Sequence, residues 1–194
     1  MNATPALARS LFPSVPWARD AALVALGVVA MAIAAKVKVP FWPVPITLQT
    51  FVVLTVGATY GFGLGALTML AYLAVGAMGL DVFTGSSAES AGLDYMLGGT
   101  GGYLIGFVLA TALVGWLAER GWDRSLPKML AAMLAGSALI YAIGVPWLAD
   151  AYGKPLAWAV EVGMTPFLLG DALKLALAAA LVPALWAWFK NRSQ

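Results

Sequence analysis

Asp171 and Lys174 are the residues whose type and spacing stand out. They lie inside Thr165–Phe189, a run long and apolar enough to cross a bilayer. A helix turns about 100° and rises about 1.5 Å per residue, so a three-residue spacing puts both side chains on one face. Each charge costs about 2.5–3.5 kcal/mol at a helix centre on insertion scales, so the pair must face protein or a wet cavity. Two readings follow. One is an internal ion pair that locks helices together. The other is a ligand-binding pair, with the carboxylate accepting N–H groups and the ammonium donating to an oxygen.

The composition places the pair in a membrane protein. Of 194 residues, 62% are hydrophobic and 10% charged, against about 25% charged in soluble domains. The length fits one domain, 1–194, with room for about six spans of ~20 residues. A net charge of +2 points away from nucleic acid. The chain has no Cys, which excludes disulfide and thiol chemistry, and no His, which removes the commonest metal ligand and general base. No Gly-x4-Gly-Lys-Ser/Thr loop is present for ATP. Asp171 is the only acid deep in a span, so a proton relay of several carboxylates is missing too. The expectation is a binding and transport protein and not an enzyme, with no metal and no cofactor.

The spans that position the pair can be read in order. Span 1 runs from Ala18 to about Ala35 and is taken as a span and not as a cleavable signal. Its small residues recur four apart (Ala18 and Ala22, Ala21 and Ala25), which allows close helix approach. The proline-rich Lys36–Pro45 segment ends it. Span 2, about Ile46 to Tyr60, opens with Thr47, Gln49 and Thr50. Gly57, Gly61 and Gly65 surround a tight turn into span 3, which ends near Gly79, and this ladder reads as backbone packing. The Leu80–Thr100 segment is polar and closes in a glycine cluster that opens span 4 (about Gly101 to Ala118). There, backbone N–H groups can approach a ligand closely, or the glycines form a hinge. After a charged turn, span 5 reaches about Val145, Pro146–Gly163 reads as a polar loop, and span 6 carries the pair.

The fold class is therefore all-α, an integral membrane bundle of six transmembrane helices. Arg9, Arg19, Arg120, Arg124, Lys128, Lys190 and Arg192 fall on one side, against Lys36, Lys38 and Lys154 on the other. The basic side faces the cytoplasm, and both termini with it. The outer side then gathers the polar start of span 2, the glycine cluster and the Asp171–Lys174 end of span 6 into one outward-facing pocket. That convergence favours a binding site over an ion lock.

Three segments carry a family resemblance: Val44-Pro-Ile-Thr-Leu-Gln-Thr50, Leu97-Gly-Gly-Thr-Gly-Gly-Tyr-Leu-Ile-Gly-Phe107 and Pro166-Phe-Leu-Leu-Gly-Asp-Ala-Leu-Lys174. Together they resemble the BioY family, the biotin-specific S-components of energy-coupling-factor (ECF) transporters. Gly99 and Leu169 stand where that family often has proline, which should loosen a loop and a helix entry. The resemblance implies high-affinity capture and uptake of biotin at the cell membrane. It also implies work with an ECF membrane coupling protein and two ATPases, docked through span 1 at Ala18, Ala21, Ala22 and Ala25, with self-association open. Asp171 suits a ureido N–H, and Lys174 the ureido oxygen or the carboxylate. Gly101 and Gly102 would bring backbone near the ring, and Tyr103 would cover it or offer its hydroxyl; Thr47 and Gln49 follow. The alternatives are an S-component-like transporter for another vitamin and a membrane assembly protein in which the pair is structural.

Overall fold

The computed structural model describes residues 16–85 and 91–192, and side chains within 17–85 and 91–188. The N-terminal stretch with Arg9, the 86–90 part of the polar segment with Glu89, and the side chains of Lys190 and Arg192 lie outside the described residues. The described chain is mostly helical: α1 (Pro16–Lys36), α2 (Gln49–Ala77), α3 (Gly92–Leu97), α4 (Gly101–Ala118), α5 (Leu126–Ala151), α6 (Leu156–Gly163) and α7 (Leu168–Arg192). A two-stranded antiparallel ribbon, β1 (Lys38–Val39) and β2 (Ile46–Thr47), joins α1 to α2 and pairs Lys38 with Thr47. Single 3-10 turns at Trp122–Arg124 and Thr165–Phe167 precede α5 and α7.

Five helical stretches are long and apolar enough to cross a membrane. The difference from the six expected crossings lies in α2, where helical backbone runs through both expected spans 2 and 3. It breaks at Gly61, whose φ of 80° and ψ of −176° suit glycine. The break reverses the chain: Gln49 Nε2 reaches Tyr72 OH at 3.0 Å, where an unbroken helix would hold them about 35 Å apart. Gly115 of α4 packs directly on the Gly61 carbonyl, and Phe62 N–H donates to Glu119 Oε1 at 3.0 Å, capping the second arm. Gly57 and Gly65 both face Thr111. The glycine ladder thus seats a helical hairpin against α4.

Outward positions on these helices are apolar too, among them Leu26, Val29, Ile33, Leu109, Leu134 and Leu177. A helix apolar on every side is at home with protein on one face and hydrocarbon on the other. The interior has two clusters. One packs Leu54, Val114, Met129, Met133, Leu175 and Val182. The other, built on Tyr72, Phe83, Tyr103, Phe107, Ile140, Leu148 and Phe167, surrounds the polar ends of α2 and α7.

Two expectations about connections are corrected. Residues Pro146–Gly163 are not a loop, because α5 continues through Pro146 to Ala151 and α6 follows. Proline there removes one backbone donor but leaves the helix intact, as membrane helices tolerate. The Leu80–Thr100 segment contains α3, whose Tyr95 stacks on Phe83 at 4.9 Å. The helix proper of the last span begins at Leu168, so Asp171 sits in its first turn, where the helix dipole favours a negative charge.

Candidate functional site

Several parts of the chain meet around one cavity. The ribbon brings Val44 and Thr47, the start of α2 Gln49 and Thr50, the Leu80–Gly85 segment Phe83 and Thr84, and α3 Tyr95. From α4 come Tyr103, Leu104 and Phe107, from α5 Ile140 and Tyr141, and from the last span Phe167, Asp171 and Lys174. Ligand sites for small molecules have a mainly apolar wall and a few convergent polar groups. This wall has that division, with the polar groups concentrated at the α2–α7 end.

Asp171 is buried and Lys174 partly so, and the two are paired, with Nζ 2.9 Å from Oδ1. Lys174 also donates to the Thr47 carbonyl at 2.6 Å and to Thr50 Oγ1 at 3.4 Å. Thr50 Oγ1 donates to Asp171 Oδ1 at 3.0 Å, and the Tyr141 hydroxyl donates to Asp171 Oδ2. The pair therefore joins α2, α5 and α7 in one network. It is an internal ion pair that also forms part of the cavity wall.

Gln49 is buried and heads a second network. Its Nε2 donates to Tyr72 OH, which donates to the Val82 carbonyl at 2.9 Å. Its Oε1 accepts from Thr84 Oγ1 at 2.6 Å and from Thr47 Oγ1 at 3.3 Å. Tyr103 presents its ring to the cavity and stands edge-on to Tyr141 at 6.5 Å, while its hydroxyl donates to the Gly163 carbonyl at 2.8 Å.

Gly101 and Gly102 do not border the cavity. A Cβ on Gly102 would overlap Trp147 of α5, and one on Gly101 would overlap the Met96 carbonyl and meet Trp147. Their missing side chains let α4 and α5 approach each other. Ala18, Ala21, Ala22 and Ala25 are exposed on α1, whose opposite face packs Leu23, Gly27 and Met31 inward.

Three site residues escaped the sequence reading as candidates: Thr50, Thr84 and Tyr141. Tyr141 carried a usable signal, since a tyrosine in the middle of an apolar span needs a partner for its hydroxyl when buried. Thr84 had none, because its place depends on the loop being tied down. Lys36 does this, with Nζ 2.6 Å from Asp81 Oδ1 and 2.9 Å from the Phe83 carbonyl, as does Lys38, 2.8 Å from the Thr84 carbonyl.

Comparison with known proteins bears on this geometry. The model of the BioY family matches residues 3–191. A probable biotin transporter BioY of Pyrococcus horikoshii is 38% identical over 168 residues, covering 87% of this chain and 96% of that one. The biotin transporter BioY of Thermotoga maritima is 38% identical over 149 residues, covering 77% and 85%. A crystal structure of the S-component for biotin from an ECF-type ABC transporter superposes with a TM-score of 0.76 at 25% identity, covering 92% of this chain and 93% of that one.

Proposed function

The chain belongs to the BioY family, and we propose that it captures biotin at the outer face of a cell membrane and mediates its uptake. The observation that carries this reading is the Asp171–Lys174 ion pair, largely withdrawn from solvent and set in the wall of an otherwise largely apolar cavity. Biotin has the matching division, with a polar ureido head on an apolar thioether ring. Removing such a head from water requires every buried polar group to find a partner. The polar end of the cavity supplies them, and Val44, Phe83, Leu104, Phe107 and Phe167 receive the rest.

The two arms of α2, broken at Gly61, count as two short crossings, which makes six with both termini in the cytoplasm. The cavity then opens outward. The whole chain, residues 1–194, acts as one substrate-binding unit that holds its ligand and carries out no reaction on it. Transport draws its energy from an ECF coupling protein with two ATPases. The exposed alanine face of α1 at Ala18, Ala21, Ala22 and Ala25 is the docking surface, since small side chains allow close helix contact. The ligand contacts are Asp171 and Lys174 at the polar end, the Tyr103 ring, Thr47 at the end of β2 and Gln49 at the start of α2. Gly101 and Gly102 act from behind, by holding α4 against α5.

Equilibrium binding of labelled biotin to the purified chain, with thiamin and riboflavin as competitors, tests this. Tight binding displaced by biotin alone is expected. Displacement by another vitamin, or no binding at all, would refute it.

A further inference from the structure

Along α4 the cavity is walled by Phe107, Leu104, Tyr103 and, at the N-cap of the helix, Thr100. Seven residues of helix put Thr100 about 10 Å along the axis from Phe107, so Thr100 marks one end of the space. A second chamber begins there. Pro45, Tyr95 and Thr100 border both spaces, and Asp94, Gly99 and Tyr152 help to enclose the second. The parts of its wall are held in place. Tyr95 stacks on Phe83, and its hydroxyl accepts from the Gly85 N–H at 3.4 Å. Trp147 Nε1 donates to the Gly98 carbonyl at 2.9 Å. A Cβ on Gly99 would overlap the Tyr152 ring, so glycine lets that ring lie against the chain.

The two chambers differ in charge. The first holds its acid and its lysine as a pair. In the second, Asp94 is the one charged side chain among the described residues of the wall, and it has no hydrogen bond or ion pair among them. Lys36 and Lys38 do not neutralise it, since they are held on Asp81 and on the Phe83 and Thr84 carbonyls. The Thr100 hydroxyl, on the boundary of the two spaces, is also without a partner among the described residues. A ligand anchored by its head at the Asp171 end sends its acyl tail toward this boundary. A free carboxylate passing Thr100 would approach a like charge. An amide there carries no charge and both donates and accepts hydrogen bonds, and an ammonium beyond it would complement Asp94.

We propose that the second chamber is a tail site through which the chain also takes amides of biotin whose tail ends in an ammonium. Biotin joined through the side-chain amine of lysine is such a molecule, because the α-ammonium stays free. Thr100 faces the amide and Asp94 the ammonium. This rests on the biotin-site reading above. The inner cavity supplies every head-group contact, and the second chamber adds room for the tail and a preference for its charge.

The test is competition against labelled biotin on the purified chain, using two amides of similar length. One joins biotin to a diaminopentane and ends in an ammonium; the other joins it to an aminohexanoate and ends in a carboxylate. Both carry the same head, so the ratio of their affinities cancels the inner cavity and reads the tail end alone. In wild type both should displace the label, the ammonium form about threefold more tightly at low salt, with the preference shrinking as salt is added. Asp94→Asn should bring the ratio to about one, and Asp94→Lys should reverse it. A ratio that is the same in wild type and in Asp94→Lys would overturn the assignment. So would amides that fail to displace the label from a chain that binds biotin. A wild-type chain that binds no biotin would instead bring down the site reading and this inference together.

Discussion

The hydroxyl of Tyr141 on α5 donates to Oδ2 of Asp171 on α7, across two helices whose residues lie 30 positions apart in sequence. This bond anchors the carboxylate from the side opposite Lys174, which approaches Oδ1. A buried carboxylate held at both oxygens cannot swing, so any ligand N–H meets it in one orientation. Tyr141→Phe should therefore weaken biotin binding. A hydrogen bond to a charged group contributes about 1.5–3 kcal/mol, equivalent to about 10–100-fold in affinity. Isothermal titration of the variant beside wild type checks this, and equal affinities would contradict it.

Removing either member of the ion pair leaves the other buried without its partner. Asp171→Asn and Lys174→Ala should each lower biotin affinity by about 100-fold or more, from an uncompensated charge penalty of about 3–5 kcal/mol. The double variant should fall short of the sum, because the two residues share one network. Fluorescence-detected melting with and without biotin separates binding from locking. Variants that lose stability while biotin still raises the melting temperature as it does in wild type would mark the pair as purely structural.

Lys36 at the end of α1 ties down the Phe83 carbonyl and Lys38 on β1 the Thr84 carbonyl, and both Phe83 and Thr84 wall the cavity. With Lys36→Met and Lys38→Met combined, the loop loses these ties while the pocket side chains stay unchanged. Interface changes of this sort act mainly on dissociation. Release of labelled biotin should accelerate about tenfold, with association much less affected. A wild-type release rate would show that the lysines play no part in retention.

Asp123 lies in the turn between α4 and α5, buried, with Trp186 Nε1 donating to its Oδ2 and no partner for Oδ1 among the described residues. Burial pushes its carboxyl pKa up, against the opposing pull of the Trp186 hydrogen bond and the Arg124 charge. With a folded pKa above the unfolded one, the folded chain binds more protons between the two values. Stability from this group is greatest at low pH and falls as pH rises through the folded pKa. Asp123→Asn should flatten that part of the pH–melting profile. A profile unchanged in slope would contradict the assignment.

Much of the site was legible because polar residues in an apolar span have few reasons to be there. Asp171 and Lys174 stood out on that ground alone, and their spacing already placed both on one helix face, whereas Gln49 read equally as a partner for a neighbouring helix and does bond Tyr72 of the second arm. Tyr141 was harder, since its role depends on how α5 is rotated against α7, which no local pattern states. Gly101 and Gly102 show a different limit. A glycine permits close approach equally to a ligand and to another helix, and here the neighbour is Trp147, 45 residues beyond Gly102. Pro146 misled for a related reason, because proline ends most soluble helices while a membrane helix can carry it onward. The ladder of glycines announced a tight turn between the expected spans 2 and 3, and the reversal at Gly61 keeps both arms helical.

The central claim is that biotin sits with its ureido head against the Asp171 end of the cavity. A structure of the purified chain with biotin bound tests it most directly. The account predicts density for the vitamin within the space walled by Gln49, Tyr103, Tyr141 and Asp171, with a ureido nitrogen at about 3 Å from Asp171 Oδ2. Density for the ring system outside that cavity, or a head group turned away from Asp171, would contradict it.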